Sequence, residues 1–196
     1  MGGPKALLRD PSSGSTYVER AIRALRDGGC DGVTVVVGAA ADEVREAVAG
    51  LGLDVDVVEC PDWAEGMGAS LRSGLTALAD TEADAALVTL VDLPDVGPAV
   101  VRRILAHEQD RTRLICNRNG PANGARSTTA ALSRAAYDGV PGHPALIGRA
   151  HWSGVVAVAR GDRGARDYYA THPHELVECG DLASGRDVDT RDDLGT

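Results

Sequence analysis

Asp92 stands in the stretch V-D-L-P, directly after A-L-V-T-L-V (86–91), the most apolar run of the chain. A carboxylate at the carboxyl end of a buried strand faces the crevice above a parallel sheet. There it suits Mg²⁺ held jointly with substrate phosphates. The same residues also read as an aspartate opening a turn before Pro94. In P-D-W-A-E-G-M-G-A-S-L-R-S-G (61–74), Gly66 and Gly68 precede a helix whose first turn holds Ser70. A helix N-terminus offers unpaired N–H groups and partial positive charge to an anionic or carbonyl-bearing ligand; a plain loop-to-helix entry is the alternative.

Further candidates lie toward both ends. Lys5, after Gly2, Gly3 and Pro4, is a point charge suited to phosphate. The stretch departs from the P-loop pattern, which requires G-K-[ST] after an upstream glycine, and a frayed terminus is its other reading. His143, between Gly142 and Pro144 in Y-D-G-V-P-G-H-P (137–144), is either a ligand contact or proton donor, or an exposed turn histidine. In G-D-R-G-A-R (161–166), Arg163 and Arg166 suit a carboxylate or phosphate, with Asp162 beside them. Asp187 and Asp189, in G-R-D-V-D-T-R-D-D-L (185–194), either give a second carboxylate to a metal held by Asp92 or belong to a solvated acidic tail.

The elements that position these residues follow from hydrophobic period. Thr16 to Glu19 has capping-box spacing, and Val18, Ala21, Ile22 and Leu25 share a helical face that ends at Gly28-Gly29. Strands are expected at 33–38, 55–59 and 86–91, alternating with helices at 41–49, around Leu71, Leu75 and Leu78, and around Val100, Val101, Ile104 and Leu105. A weak strand is read at R-L-I-C (113–116). Residues 117–134 are read as an irregular loop or insertion, with 127–136 a short helix. A Gly/Pro-rich turn (138–144), helices near 149–159 and 162–171, and a last strand (175–179) complete the chain. Strands separated by helices imply one α/β domain over 1–196, a mostly parallel sheet with helices on both faces.

Composition narrows the partners. The 196 residues carry a formal charge of −9, which argues against nucleic acid, whose binding rests on Lys and Arg displacing counterions. Four scattered cysteines without a C-x-x-C pair read as reduced thiols, and neither a signal pattern nor a membrane-length apolar run is present. A cytoplasmic location is expected by default.

Taken in order, these stretches resemble the MobA-like NTP transferase family, especially its molybdenum cofactor cytidylyltransferase branch. That family begins with a strand and a pattern like L-A-A-G-x-S-x-R-M-G-x-P-K-x-L-L, of which M-G-G-P-K-A-L-L (1–8) matches the second half. P-D-W-A-E-G-M-G-A-S-L-R-S-G, V-D-L-P, G-H-P, G-D-R-G-A-R and D-V-D-T-R-D-D-L follow at family-like positions. The resemblance implies a nucleotide-diphospho-sugar transferase, Rossmann-like three-layer α/β/α fold. It also implies attack by an acceptor phosphate on the α-phosphorus of an NTP, CTP in preference to GTP, with release of pyrophosphate. The acceptor would be molybdopterin-type or another small phosphorylated molecule.

By the same resemblance, Gly2, Gly3 and Lys5 would contact the NTP phosphates, and Gly66, Gly68 and Ser70 would lie beside the base and ribose. Asp92 would bind Mg²⁺ with Asp189 (or Asp187) as the second carboxylate. His143 and the G-D-R-G-A-R segment, with Asp162 and Arg163, would face the acceptor. The missing half of the signature is the first, central strand and most of the triphosphate loop. The expectation is therefore a start placed at an internal Met, in preference to a truncated protein, with a sheet lacking its middle strand and weak NTP binding. Two alternatives accompany this reading. One is NAD(P)H-dependent reduction of a quinone-like pigment, since some proteins similar to this branch are named nicotine blue oxidoreductase, although no G-x-G-x-x-G with a downstream acid is present. The other is a degenerate, non-catalytic nucleotide-binding protein.

Overall fold

The structure, a computed structural model, describes residues 4–118 and 128–187, with the side chains of 111–118 left out. After a short 3-10 turn at Lys5–Leu7 come α1 (Tyr17–Gly28), β1 (Thr34–Val37), α2 (Ala41–Ala49), β2 (Asp56–Glu59), α3 (Met67–Ala79) and β3 (Ala85–Val88). The second half holds α4 (Pro98–Arg118), β4 (Leu132–Tyr137), β5 (Val140–Gly148), α5 (Arg149–Val158), α6 (Arg166–Thr171) and β6 (Glu175–Glu178). The expected start of α1 is present: Thr16 Oγ1 accepts the Glu19 amide at 3.3 Å. Gly29, with φ of 106°, ends the helix in the left-handed region that glycine enters freely.

The architecture is three-layer α/β. β1 and β2 pair in parallel, and a second sheet runs β3-β5-β4-β6. β4 and β6 are parallel, while β5 runs antiparallel to both β3 and β4. One face of the second sheet is covered by α3, α5 and α6, with Leu75, Trp152, Val155 and Tyr169 against Ala86, Leu132, Ala145 and Ile147. The other face is covered by α4, whose Val100 and Ile104 meet Ala135, Tyr137 and Leu146. A third core joins α1 and α2 to β1 through Val18, Ile22, Val37, Val44 and Val48.

Among the described residues β1 and β3 share no ladder, so the strands form two separate sheets with an interruption between them. Helix α3 spans the interruption. Its Gly74 comes within contact of Val36, while Leu75 packs with Ala86. Val91 joins the core around β1 from the other side. Leu87, Val88, Leu90 and Val91 are only half-buried, although they belong to the most apolar run of the chain.

Three local expectations are corrected. R-L-I-C (113–116) lies inside α4. No Gly or Pro falls between Pro98 and Gly120 to stop that helix, and a four-residue apolar run has no period of its own. Of 127–136, residues 128–130 form a 3-10 turn and Leu132–Tyr137 is a strand, paired with β5 on one side and β6 on the other. Two ladders there outweigh the helix propensity of Ala135 and Ala136. The rest of the predicted loop, 119–127, lies outside the described residues. The turn read at 138–144 shrinks to Asp138-Gly139, with φ of 52° and 77°, the primed geometry that joins two antiparallel strands tightly. Val140–Gly148 is then a nine-residue strand that Pro141, Gly142 and Pro144 had masked as a turn.

Helices α1 and α4 cross at Gly28, where an added Cβ would sit 2.3 Å from Val101 Cγ1. Gly28→Ala is expected to lower unfolding free energy by about 1–3 kcal/mol in urea denaturation. Gly32→Ala, whose Cβ would meet nothing within 4 Å, should leave the midpoint unchanged.

Candidate active site

Asp92 follows β3 by four residues, at the carboxyl end of the strand. Its side chain is 18% exposed, and Lys5 Nζ donates to Oδ2 at 2.9 Å. The other oxygen, Oδ1, is buried and has no hydrogen-bond partner. An orphaned carboxylate oxygen is costly to bury, on the order of 1–3 kcal/mol or more for a charged group. Such an atom is what a hard cation or a donor on a ligand would satisfy. Two residues 87 apart in sequence thus meet, and Gly2 and Gly3 lie outside the described residues.

A clamp that no sequence motif pointed to holds this loop. From α1, Arg20 donates one Nη to the Asp10 carboxylate and the other to the Pro94 carbonyl, two residues past Asp92. The Asp10 carboxyl is held down to about 2, first by the Ser12 hydroxyl and then by the Ser13 amide, so it accepts from Arg20 as an anion. The R-D-P-S-S-G-S-T stretch carries turn formers, the only sequence signal for it.

His143, on β5, is half-buried and its peptide to Pro144 is cis. Its proton affinity is lowered to about 4, chiefly by burial and then by the charge of Arg134; Asp92 acts in the opposite sense. The imidazole is therefore neutral at physiological pH, a hydrogen-bonding group and not a cation or a ready acid. Its carbonyl accepts from Tyr137 Oη at 2.7 Å.

Gly66 and Gly68 have a structural duty. A Cβ on Gly66 would sit 2.5 Å from Asp162 Oδ1, and one on Gly68 would sit 2.7 Å from the Arg160 backbone nitrogen. Gly66 also has φ of 105° at the N-cap of α3. The pair lets the 159–162 segment lie directly on the start of α3. Arg72, from the same motif, locks that approach by donating to the Ala159 carbonyl at 2.9 Å and to Glu65 at 2.7 Å. Ser70 lies half-buried in the first turns of α3. Asp162 is thereby brought to the mouth of the α3 N-terminus. Arg163 is exposed and bound to Asp167 through Nε at 2.9 Å and through Nη2.

The metal set is partly visible. Asp92 is in place, Asp187 is exposed, and Asp189 lies outside the described residues. Among the described residues no group of three His, Cys, Asp or Glu side chains could hold a metal. The donor set that remains, one carboxylate with a vacant oxygen beside a lysine, fits an ion that takes most of its ligands from phosphates and water. Cys30, Cys60 and Cys179 are free thiols, and no described helix is long and apolar enough to cross a membrane.

The MobA-like NTP transferase domain profile matches residues 1–176. The chain is 35% identical over 96% of its length to a protein named nicotine blue oxidoreductase from Paenarthrobacter nicotinovorans, spanning 84% of that relative. It is 31% identical over 98% of its length to a bifunctional IPC transferase and DIPP synthase from Rubrobacter xylanophilus, of which it spans only 46%. The fold is similar to the crystal structure of Rv0371c from Mycobacterium tuberculosis, with TM-score 0.66, 32% identity, and coverage of 98% of this chain and 88% of that one. A structure of Rv0371c in complex with manganese matches at TM-score 0.66 and 29% identity, covering 98% of this chain and 90% of that one. A nucleotidyl transferase from Methanothermobacter thermautotroptrophicus matches at TM-score 0.63 and 26% identity, covering 89% and 74%.

Because His143 binds its proton near pH 4 when folded and near 6.5 when unfolded, its burial disfavours the folded state in acid. The unfolded chain takes up the proton first as pH falls through 6.5, so this stability is complete above 6.5 and lost progressively down to about 4. Urea unfolding of wild type and His143→Gln at pH 7.5 and pH 4 should show the stability difference moving by roughly 3 kcal/mol in favour of the variant.

Proposed function

As the chain belongs to the MobA-like NTP transferase family, whose class of enzyme is the nucleotidyltransferase, we propose that it transfers a nucleotidyl group from an NTP to a small phosphorylated acceptor. The bond formed joins an acceptor phosphate oxygen to the α-phosphorus, the bond broken is the α–β phosphoanhydride, and pyrophosphate leaves. One observation carries this reading: the buried, unpartnered Oδ1 of Asp92 beside a lysine at the open carboxyl end of β3. That pair matches a reaction whose reactants are both anions, where alignment and charge neutralisation supply most of the catalysis.

Each residue has a defined task in this reading. Lys5 carries a fixed positive charge at 2.9 Å from Asp92 and reaches the phosphates of the NTP. Asp92 would hold a divalent ion, Mg²⁺ or Mn²⁺, through its unpartnered oxygen, with Asp189 as the expected second ligand. The ion, when bound, neutralises charge on the phosphates. Manganese in the relative Rv0371c supports this assignment. The α3 N-terminus, against which Gly66 and Gly68 let the 159–162 segment pack, presents backbone N–H groups to the nucleotide beside that segment. His143 stays neutral and orients the acceptor by hydrogen bonding. CTP as the donor and a molybdopterin-type acceptor are the finer proposals, supported by the resemblance to the cytidylyltransferase branch.

The name of the Paenarthrobacter relative favours a second reading, reduction of a quinone-like pigment by NAD(P)H. The two separate in one pair of assays. Pyrophosphate release is expected from CTP, Mg²⁺ and a molybdopterin-type acceptor, ahead of GTP, and absorbance of NADPH with a quinone should stay constant. Oxidation of NADPH without pyrophosphate release would select the second reading. NTP binding with neither activity would mark a degenerate, non-catalytic protein.

Asp92→Asn should lower kcat/KM for pyrophosphate release by about 10²-fold or more, the scale of losing one transition-state charge partner. Chelation with EDTA should abolish the activity and added Mg²⁺ or Mn²⁺ restore it. Wild-type rates in Asp92→Asn would remove Asp92 from the site.

A further inference from the structure

Arg134 sits in the middle of β4, in L-S-R-A-A-Y, between Ala145 of β5 and Leu176 of β6. It lies on the sheet face that carries Leu132, the face packed by α5 and α6. Its Nε donates to the Gly142 carbonyl at 3.2 Å, and its guanidinium carbon lies 5.3 Å from the centre of the Tyr169 ring. Tyr169 is itself fixed, its hydroxyl donating to the carbonyl of Leu146 at 3.1 Å. These contacts set the plane of the guanidinium but supply no negative charge. Among the described residues Arg134 forms no ion pair, and both Nη groups lack an acceptor.

A half-buried cation without a counter-charge is unfavourable, and a second cation nearby makes it more so. Arg166, the first residue of α6, is that second cation. Its charge adds to burial in making Arg134 easier to deprotonate, and Arg166 too forms no ion pair among the described residues. Both arginines act on His143, the neutral hydrogen-bonding group on the neighbouring strand. Arg134 and His143 stand together on neighbouring strands, Arg166 adds positive charge although it also acts on Asp167, and Asp92 faces the imidazole from the nucleotide side; the net positive charge around Arg134 suits an anion. The fork of a pre-oriented guanidinium matches a phosphate dianion.

We propose that Arg134 and Arg166, with His143, bind the terminal phosphate group of the acceptor. In the sheet order β3-β5-β4, Arg134 stands two strands from β3, roughly 10 Å at ordinary strand spacing, and so beside the nucleotide's site but separate from it. Arg163 is exposed and paired with Asp167, whereas Arg134 is half-buried and pre-oriented by Gly142 and Tyr169. The assignment rests on the nucleotidyl-transfer reading for what the phosphate does, although not for its being bound.

Phenyl phosphate serves as the probe, titrated calorimetrically into the full chain, with Mn²⁺·CTP titrated separately. Wild type should bind phenyl phosphate, and Arg134→Gln should weaken it about 10-fold or more, the scale of one charge-assisted pair. Arg166→Gln should weaken it several-fold (about 3-fold or more, as for a more exposed charge) and Arg134→Lys should retain part of the affinity. Mn²⁺·CTP binding should change less than about 2-fold in all three variants, which acts as the check on folding. Undiminished phenyl phosphate binding in Arg134→Gln, or no binding by wild type, overturns the proposal. Loss of Mn²⁺·CTP affinity in a folded Arg134→Gln also overturns it, because the arginine would then serve the nucleotide's own phosphates. If wild type binds phenyl phosphate but not Mn²⁺·CTP, the nucleotidyl-transfer reading fails while the phosphate site stands. Should Arg134→Gln not fold, Arg166→Gln and Arg134→Lys decide the matter by the same criteria.

Discussion

A carboxylate half-removed from water at the end of an apolar strand constrains everything around it. Asp92 has one oxygen on Lys5 and one buried oxygen without a hydrogen-bond partner, and a buried acceptor left unsatisfied is costly. The surrounding structure exists to hold that geometry. The V-D-L-P loop is pinned from α1 by Arg20 on the Pro94 carbonyl, and Arg20 is in turn aimed by an Asp10 kept anionic. Removing the clamp would let the carboxylate relax toward solvent, where it would find water and lose its readiness for a cation or a phosphate-bearing ligand.

The second constraint is steric. The 159–162 segment can touch the start of α3 only because two positions there have no Cβ. Contact at that distance also explains why Arg72 reaches the Ala159 carbonyl and why Asp162 arrives at the helix mouth. The glycines thus shape the site's wall by permitting backbone to approach backbone. The same motif is read from sequence as lining a base and ribose; packing gives it a prior task that is compatible with presenting free amides.

Charge is distributed unequally along the rim. Near β3 a lysine and an aspartate balance each other, while near β4 Arg134 has no ion-pair partner among the described residues and His143 stays neutral beside it. On a chain with a net charge of −9, positive groups left unpaired at one rim are set against the general field. The arrangement suits two anionic reactants brought side by side, one with an ion available to it and one held by guanidinium groups.

The alternation of strands and helices over most of the chain and the capping of α1 were legible in the sequence, as was the candidacy of Lys5, Asp92 and His143. Local period and motif order need only near neighbours to be read. Strand β5 was not, because Pro141, Gly142 and Pro144 signal a turn and only its partners β3 and β4 make it a strand. Nor was the true length of α4, since a short apolar run such as R-L-I-C suits either period. The clamp of Arg20, the tying of Arg163 to Asp167 and the unpaired state of Arg134 belong wholly to tertiary structure. Sequence states which side chains bear charge; only the folded chain decides which of those charges meet a partner, because pairing depends on distance through space and on how much water is left between the groups.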